Sequence, residues 1–440
     1  MMSIMRCFLV LLLFKLDNLH CRVVFVFEHF RHGARSPGFT VTKTKINHTD
    51  EFGIFWEGNG ELTPIGLRSQ YLIGVRNRMK YSKLLSSTYD PREISVFSTQ
   101  MGRTIMSAQA QLMGMYPPST GAKINNEFIN IAVPPSPHND ELSDEIKRLQ
   151  NNILPGQSQI VPVYAIPEQE THQLLSDVFF CPKLRKMKDI AQKDKIVLNY
   201  FNKLNSTYGK EIFSFLKITN NSNYLYDFYR VFYLADVFLS DYDNGRDLSL
   251  FEKEGIDLQK FYNLSVEMKN LYLFYGECNE YISTIAISQT MRKILSWMRT
   301  RIERDLTHEK ELKYQEPKYV MYSGHDTTLA PFQLFMKKIF GTPLKYPHFS
   351  STIYYELHKN DSLSTRTDND YFIRYFMDDE LILEIDFVNF ENQVKKEMWD
   401  DEKINQYCSN EVFNGNIILL FIFTIILGIA IIFFFVKNKN

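Results

Sequence analysis

The sequence predicts an α/β sheet domain interrupted by a helical insertion. Short β-like runs alternate with helix-like segments from Val23 to Met115, the stretch from Pro134 to about Thr300 carries no clear strand, and β-like runs return from Tyr319 onward. Strands and helices in alternation, broken by a helical block, are the pattern of a layered sheet with an inserted α domain.

Each element has a local reason. Val23–Phe27 is rich in β-branched and aromatic residues and bounded by charge and a turn, so it reads as a buried strand. Thr63 is placed to cap a helix that Pro64 opens, and Leu67, Tyr71, Leu72 and Val75 follow at helical spacing as its apolar face. Ile94–Phe97 is a second strand, ending in Ser98-Thr99. Arg103–Met115 is helical in composition, with Ile105, Met106, Ala108, Leu112 and Met113 on its apolar side. Pro117-Pro118 and Pro134-Pro135-Ser136-Pro137 then punctuate the chain. Tyr319–Tyr322 restores a strand before Ser323-Gly324-His325-Asp326, and Thr352–Leu357 adds another. Tyr371–Met377 and Leu381–Phe387 flank Asp378-Asp379-Glu380 as a hairpin. The expected division is an α/β domain over 22–133 and 301–400 around a helical cap over 134–300.

The ends suggest a membrane-bound, lumen-facing body. Phe8–Phe14 is a short apolar run after Arg6, the length of a signal-peptide core, so residues 1–21 are expected to be a signal. Ile417–Val436 is apolar for about one bilayer thickness, with only Thr424 and Gly428 weakly polar, and Lys437 and Lys439 follow it. Terminal lysines favour a retained span over a glycolipid-anchor signal. The expected topology is a single-pass type I protein with a linker over 401–416, a span over 417–436, a cytoplasmic tail over 437–440, and a lumenal (lysosomal or endomembrane) or extracellular body. Asn47, Asn205, Asn220, Asn263 and Asn360 each open a glycosylation sequon, in keeping with that side of the membrane. Three cysteines lie beyond the signal, Cys181, Cys278 and Cys408, so two can pair with one left over; their spacing fits no zinc pattern. A formal net charge of −1 gives no support for a nucleic-acid partner. Any affinity for phosphate must be local.

Three strand-end loops supply that local charge. Arg31-His32-Gly33-Ala34-Arg35-Ser36-Pro37 follows the first strand. Ser98-Thr99-Gln100-Met101-Gly102-Arg103-Thr104 follows the second, and Gly324-His325-Asp326-Thr327-Thr328 follows the third. Alone, the first would pass for a charged surface turn, Arg103 for a helix-surface arginine, and Asp326 for a helix cap. Together, each at a strand end, they converge, because ligands of open α/β sheets gather outside the carboxyl ends of strands. Arginine forks grip phosphate oxygens, and the His32 imidazole offers a lone pair to phosphorus.

On these residues the chain resembles the histidine acid phosphatases. RHGARSP and SGHDTT match that family's N- and C-terminal signatures, and Gly60–Gly66 and Ser98–Thr104 agree as well. The resemblance implies a phosphoglycerate-mutase-like α/β domain with a helical cap, acting as a phosphomonoesterase through a phosphohistidine. It makes His32 the nucleophile and Asp326 the proton donor, with Arg31, Arg35, Arg103 and His325 binding phosphate. It implies a Cys181–Cys278 bridge, leaving Cys408 unassigned. No cofactor or metal is implied. Partners are a small-molecule phosphomonoester and the membrane, and a homodimer is compatible with the sequence.

An imidazole nucleophile must be kept neutral in acid, and a backbone carbonyl near Gly33 accepting from its other ring nitrogen would fix the tautomer. Three alternatives stay open. A phytase or inositol-polyphosphate phosphatase would be expected to carry a basic rim and more cysteines. A lysophosphatidate phosphatase shares the same motif. A non-enzymatic receptor ectodomain would have lost chemical residues, and none of the six is missing.

Overall fold

The computed structural model describes residues 21–38, 58–135, 139–167, 181–191, 194–200, 202–203, 206–207, 224–253, 255–307, 317–363 and 366–409. Residues 1–20 of the expected signal and the span 417–436 lie outside them, and Cys21, the last residue of that expected signal, begins the first strand. Among the described residues no helix is long and apolar enough to cross a membrane.

The main elements, in order, are β1 Cys21–Arg31, α1 Pro64–Lys80, β2 Ile94–Ser98, α2 Gly102–Met115, β3 Tyr164–Ala165, α3 Pro182–Ala191, α4 Tyr224–Asp243, α5 Leu258–Leu271, α6 Glu280–Thr307, β4 Tyr319–Gly324, α7 Asp326–Phe340, β5 Thr352–Asn360, β6 Tyr371–Met377, β7 Glu380–Asp386 and α8 Phe387–Glu397. The strands form one mixed sheet in the order β3-β2-β4-β1-β5-β6-β7. β3, β2, β4 and β1 pair in parallel, while β5, β6 and β7 continue it antiparallel. All the strands expected from sequence are present. β3 was not expected: it is two residues long, too short to show alternation, and lies within the stretch assigned to the cap.

β1 alternates between two cores. Phe25 and Phe27 pack with the α6, α7 and α8 side, and Val26 and Phe30 with the α1 and α2 side. Both faces of the sheet are therefore covered, and the central strands are buried on both sides, with Glu28 and His29 of β1 among the buried polar residues. The helices α4 and α5 build a separate core around Leu234, Val237, Phe238, Phe261 and Met268.

The expected apolar face of α1 is not the face it buries. Gly66, Gln70, Gly74 and Asn77 are buried, whereas Tyr71 and Leu72 are exposed. Thr63 caps the helix as expected, accepting from the Gly66 N–H at 3.2 Å. What turns the helix is the demand of β1 for hydrogen bonds and of α2 for close approach. Gln70 Nε2 donates to Arg31 O at 2.9 Å and Asn77 Nδ2 to Glu28 Oε1 at 3.1 Å. A Cβ at Gly74 would stand 1.9 Å from Gln111 O, so only glycine fits that contact.

The disulfide also differs from expectation. Cys181 pairs with Cys408, not Cys278, with Cα atoms 4.9 Å apart. Residues 401–409, expected to begin a linker, form a helix instead. Ile404 and Tyr407 pack into a core with Leu184 and Phe274, which carries Cys408 back to Cys181. Cys278 is buried in the same core, with Sγ directed at Asn279 O.

Candidate active site

β1, β2 and β4 are neighbours and run in the same direction, so their carboxyl ends open on one place. That register brings together the expected site residues. Arg31 ends β1 opposite Gly324 of β4, His32 N–H donates to Gly324 O at 3.0 Å, and Ser350 N–H donates to His32 O at 3.1 Å. The His32 backbone is thus pinned between two strands. Gly33 turns tightly against α1, since a Cβ there would stand 2.4 Å from Gly66 O. The imidazole Nδ1 lies 2.9 Å from Gly33 O. That bond places the proton on Nδ1 and leaves the Nε2 lone pair outward; the sequence suggested a backbone carbonyl acceptor without identifying it.

The electrostatics follow from burial among cations. Burial, then Arg31 and Arg103, push the His32 imidazole well below its usual range, so it stays neutral in acid. The His325 ring centroid is 5.5 Å from that of His32, and burial followed by Arg103 lowers its pKa to about 3. Thr99 Oγ1 lies 3.0 Å from His325 Nε2 and anchors the ring to the β2 loop. Phe349 forms an aromatic floor, with the Arg31 guanidinium 4.1 Å from its centroid and the His32 ring 5.7 Å away.

The arginines are held in different ways. Arg31 Nη1 donates to Pro347 O at 2.8 Å and Nη2 pairs with Asp326 Oδ2 at 3.1 Å. Arg103 Nη1 reaches Gly60 O at 3.3 Å. The buried Nε–H groups of Arg31 and Arg103 have no protein acceptor among the described residues. Buried donors are rarely left so, and an oxyanion ligand would satisfy both. Arg35 is turned toward α4: Nη2 spans both oxygens of Asp236 at 3.0 and 3.2 Å, and Nη1 lies 3.3 Å from Ser240 Oγ.

Asp326 opens α7, where the helix N-terminus favours a carboxylate. Its Oδ1 accepts from the Thr327 N–H at 2.9 Å. Burial works against its charge, but Arg31 and then Lys269 outweigh burial and hold it well below the usual carboxylate range. Asp236 is held down in the same way by Arg35 and Lys269.

Several contributors were missed in the sequence. Asp236, Ser240 and Asn244 recur every fourth residue along an otherwise aromatic segment and grip the Arg35 loop; Asn244 Nδ2 donates to Arg35 O at 3.0 Å. That spacing was the available signal. Lys269 and Phe349 had none, because each reaches the site from a distant segment.

With the geometry in view, the family can be stated. The profile of the histidine phosphatase superfamily (branch 2) matches residues 22–378, and the chain belongs to that family. Among its relatives are acid phosphatases. The lysosomal acid phosphatase of Xenopus laevis is 26% identical over 77% of this chain and 66% of its own length, just under two thirds of that enzyme. The prostatic acid phosphatase of Homo sapiens is 26% identical over 74% of this chain and 73% of its own. The solved structure of Hafnia alvei phytase in complex with tartrate shares the fold, with a TM-score of 0.57 at 13% identity, covering 86% of this chain and 98% of that one.

Proposed function

We propose that this chain is an acid phosphomonoesterase that works through a phosphohistidine. The observation that carries the reading is His32, its Nδ1 tied to Gly33 O and its pKa held low by burial and neighbouring cations, set among three arginines and beside the Asp326 carboxylate. His32 Nε2 attacks phosphorus as the ester P–O bond breaks, and Asp326 gives its proton to the leaving oxygen. Asp326, now a carboxylate, takes a proton from water, whose oxygen attacks phosphorus as the P–N bond breaks. Arg31, Arg35, Arg103 and His325 hold the phosphoryl oxygens through both displacements.

The free site keeps Asp326 ionised, so the proton must arrive with the substrate. Below pH ~6 a phosphomonoester carries one proton. Once bound, its negative charge lies against Arg31, weakening the hold of that arginine on Asp326 and letting the carboxyl take the proton. Activity in acid is the consequence.

The expected signal, the span at 417–436 and the sequons support a type I, lumenal or extracellular, glycosylated enzyme; Asn263 is exposed on α5. The helical insert, taken as 134–300, shapes the entrance over the α/β parts. The test is hydrolysis of a panel of phosphomonoesters by the soluble ectodomain across pH, with tartrate as inhibitor. Broad activity below pH ~6 is expected; activity confined to inositol polyphosphates would instead favour the phytase reading.

A further inference from the structure

The insert lends the site a buried lysine. Lys269 on α5 places Nζ 3.3 Å from Asp326 Oδ2 and 3.1 Å from Asp236 Oδ1, and 4.6 Å from the Phe232 ring centroid. Its side chain is 6% exposed. A lysine is rarely buried so far, and Asp236 alone would neutralise it within the insert. It reaches beyond Asp236, across to Asp326. The result is a continuous chain of charge, Arg35–Asp236–Lys269–Asp326–Arg31, in which the insert supplies Asp236 and Lys269.

We propose that Lys269 is a positioning residue of the reaction, an insert-borne cation that holds Asp326 Oδ2 and governs when that carboxyl releases and regains its proton. This rests on the reading of Asp326 as the acid. Arg31 cannot do this alone, because a bound phosphoryl group competes for it. Lys269 stays on Asp326 while phosphate occupies the arginines. It stabilises the carboxylate left when the ester P–O bond breaks and the proton passes to the leaving oxygen. It keeps that carboxylate ready to take a proton from water when the P–N bond breaks.

The charge count agrees. Arg31, Arg35, Arg103 and Lys269 face Asp236 and Asp326, leaving a surplus of two positive charges that attracts the monoanionic ester and its proton. The other groups around Asp326 alter that count little. His32 and His325 are held neutral, Tyr346 is pushed up by burial, and Asp243, near Arg31, is raised by burial to about 6.

The test is the pH dependence of the two half-reactions with an alkyl phosphate, measured as the burst of phosphoenzyme and its decay. In Lys269→Met the alkaline limb of formation and the acid limb of hydrolysis should both move up by ~1–3 pH units, with Lys269→Arg restoring most of the shift. If Lys269→Met does not fold, the same shift is expected on adding it to Asp236→Asn, which removes one charge of each sign. Uniformly slower rates with both limbs unmoved would overturn the proposal. Asp326→Asn keeps the two readings apart. If that variant shows no selective loss on alkyl over aryl esters, the acid assignment itself falls; if it does and the limbs stay put in Lys269→Met, only the role of Lys269 falls.

Discussion

Two carboxyl groups touch the first strand's neighbourhood, and burial treats them alike while their partners do not. Glu28, three residues before Arg31 on β1, is fully buried toward α1. It accepts from Tyr319 Oη at 2.6 Å, Asn77 Nδ2 at 3.1 Å and Tyr354 Oη at 3.2 Å. Burial outweighs these donors and the more distant Arg76 charge and raises its pKa to about 7. Asp326, also buried, has two cations on one oxygen and goes the other way. The hydroxyl and amide donors of Glu28, with Arg76 at longer range, do not offset burial, whereas two cations directly on one oxygen of Asp326 do. The same strand thus carries a structural cluster at Glu28 and, three residues on, the start of the reactive one at Arg31.

Removing the reactive carboxyl should have the largest effect. Asp326→Asn should slow phosphoenzyme formation from alkyl phosphates by ~10²–10⁴, the range for general acid catalysis, and far less from nitrophenyl phosphate, whose leaving group needs little help. Burst kinetics on both esters check this; equal losses would mean that Asp326 positions the site and is not its acid.

Removing the carboxylate of the insert comes next. Asp236→Ala strands buried Arg35 and leaves Lys269 to Asp326 alone, and should cost about 3–5 kcal/mol of stability. Inorganic phosphate should return part of the lost Tm by replacing the missing negative charge. If phosphate raises the Tm of variant and wild type equally, Arg35 does not face the ligand.

The smallest effect belongs to the other end of the comparison. Because the folded pKa of Glu28 is raised from 4.5 to about 7, its contribution is fully present below 4.5 and is lost as pH rises through about 7. Glu28→Gln removes that dependence, so Tm relative to wild type should be more favourable at pH 8 than at pH 5. Parallel Tm profiles would show that neutral partners do not leave Glu28 a raised pKa.

How legible this was depended on distance along the chain. Strands and their loops were readable because β-branched runs, turn glycines and the Thr63–Pro64 cap act over a few residues, and three parallel strands make their ends meet. That a backbone carbonyl would take the second ring nitrogen of His32 was an expectation; which carbonyl, Gly33 O, only the folded turn shows. The buried face of α1 was not readable, because hydrogen bonds to Arg31 and Glu28 of β1, distant along the chain, choose it over Tyr71 and Leu72. The grip of Asp236 and Lys269 on the site and the Cys181–Cys408 bridge depend on how distant segments pack, which composition and spacing do not record.

The central claim is that His32 carries the phosphoryl group. Enzyme mixed with labelled phosphomonoester and quenched under conditions that preserve phosphohistidine should hold label on His32 alone, and His32→Ala should fold, bind phosphate and take up none. Label on Asp326 or on a serine, or an unlabelled wild type that still turns over substrate, would contradict the account.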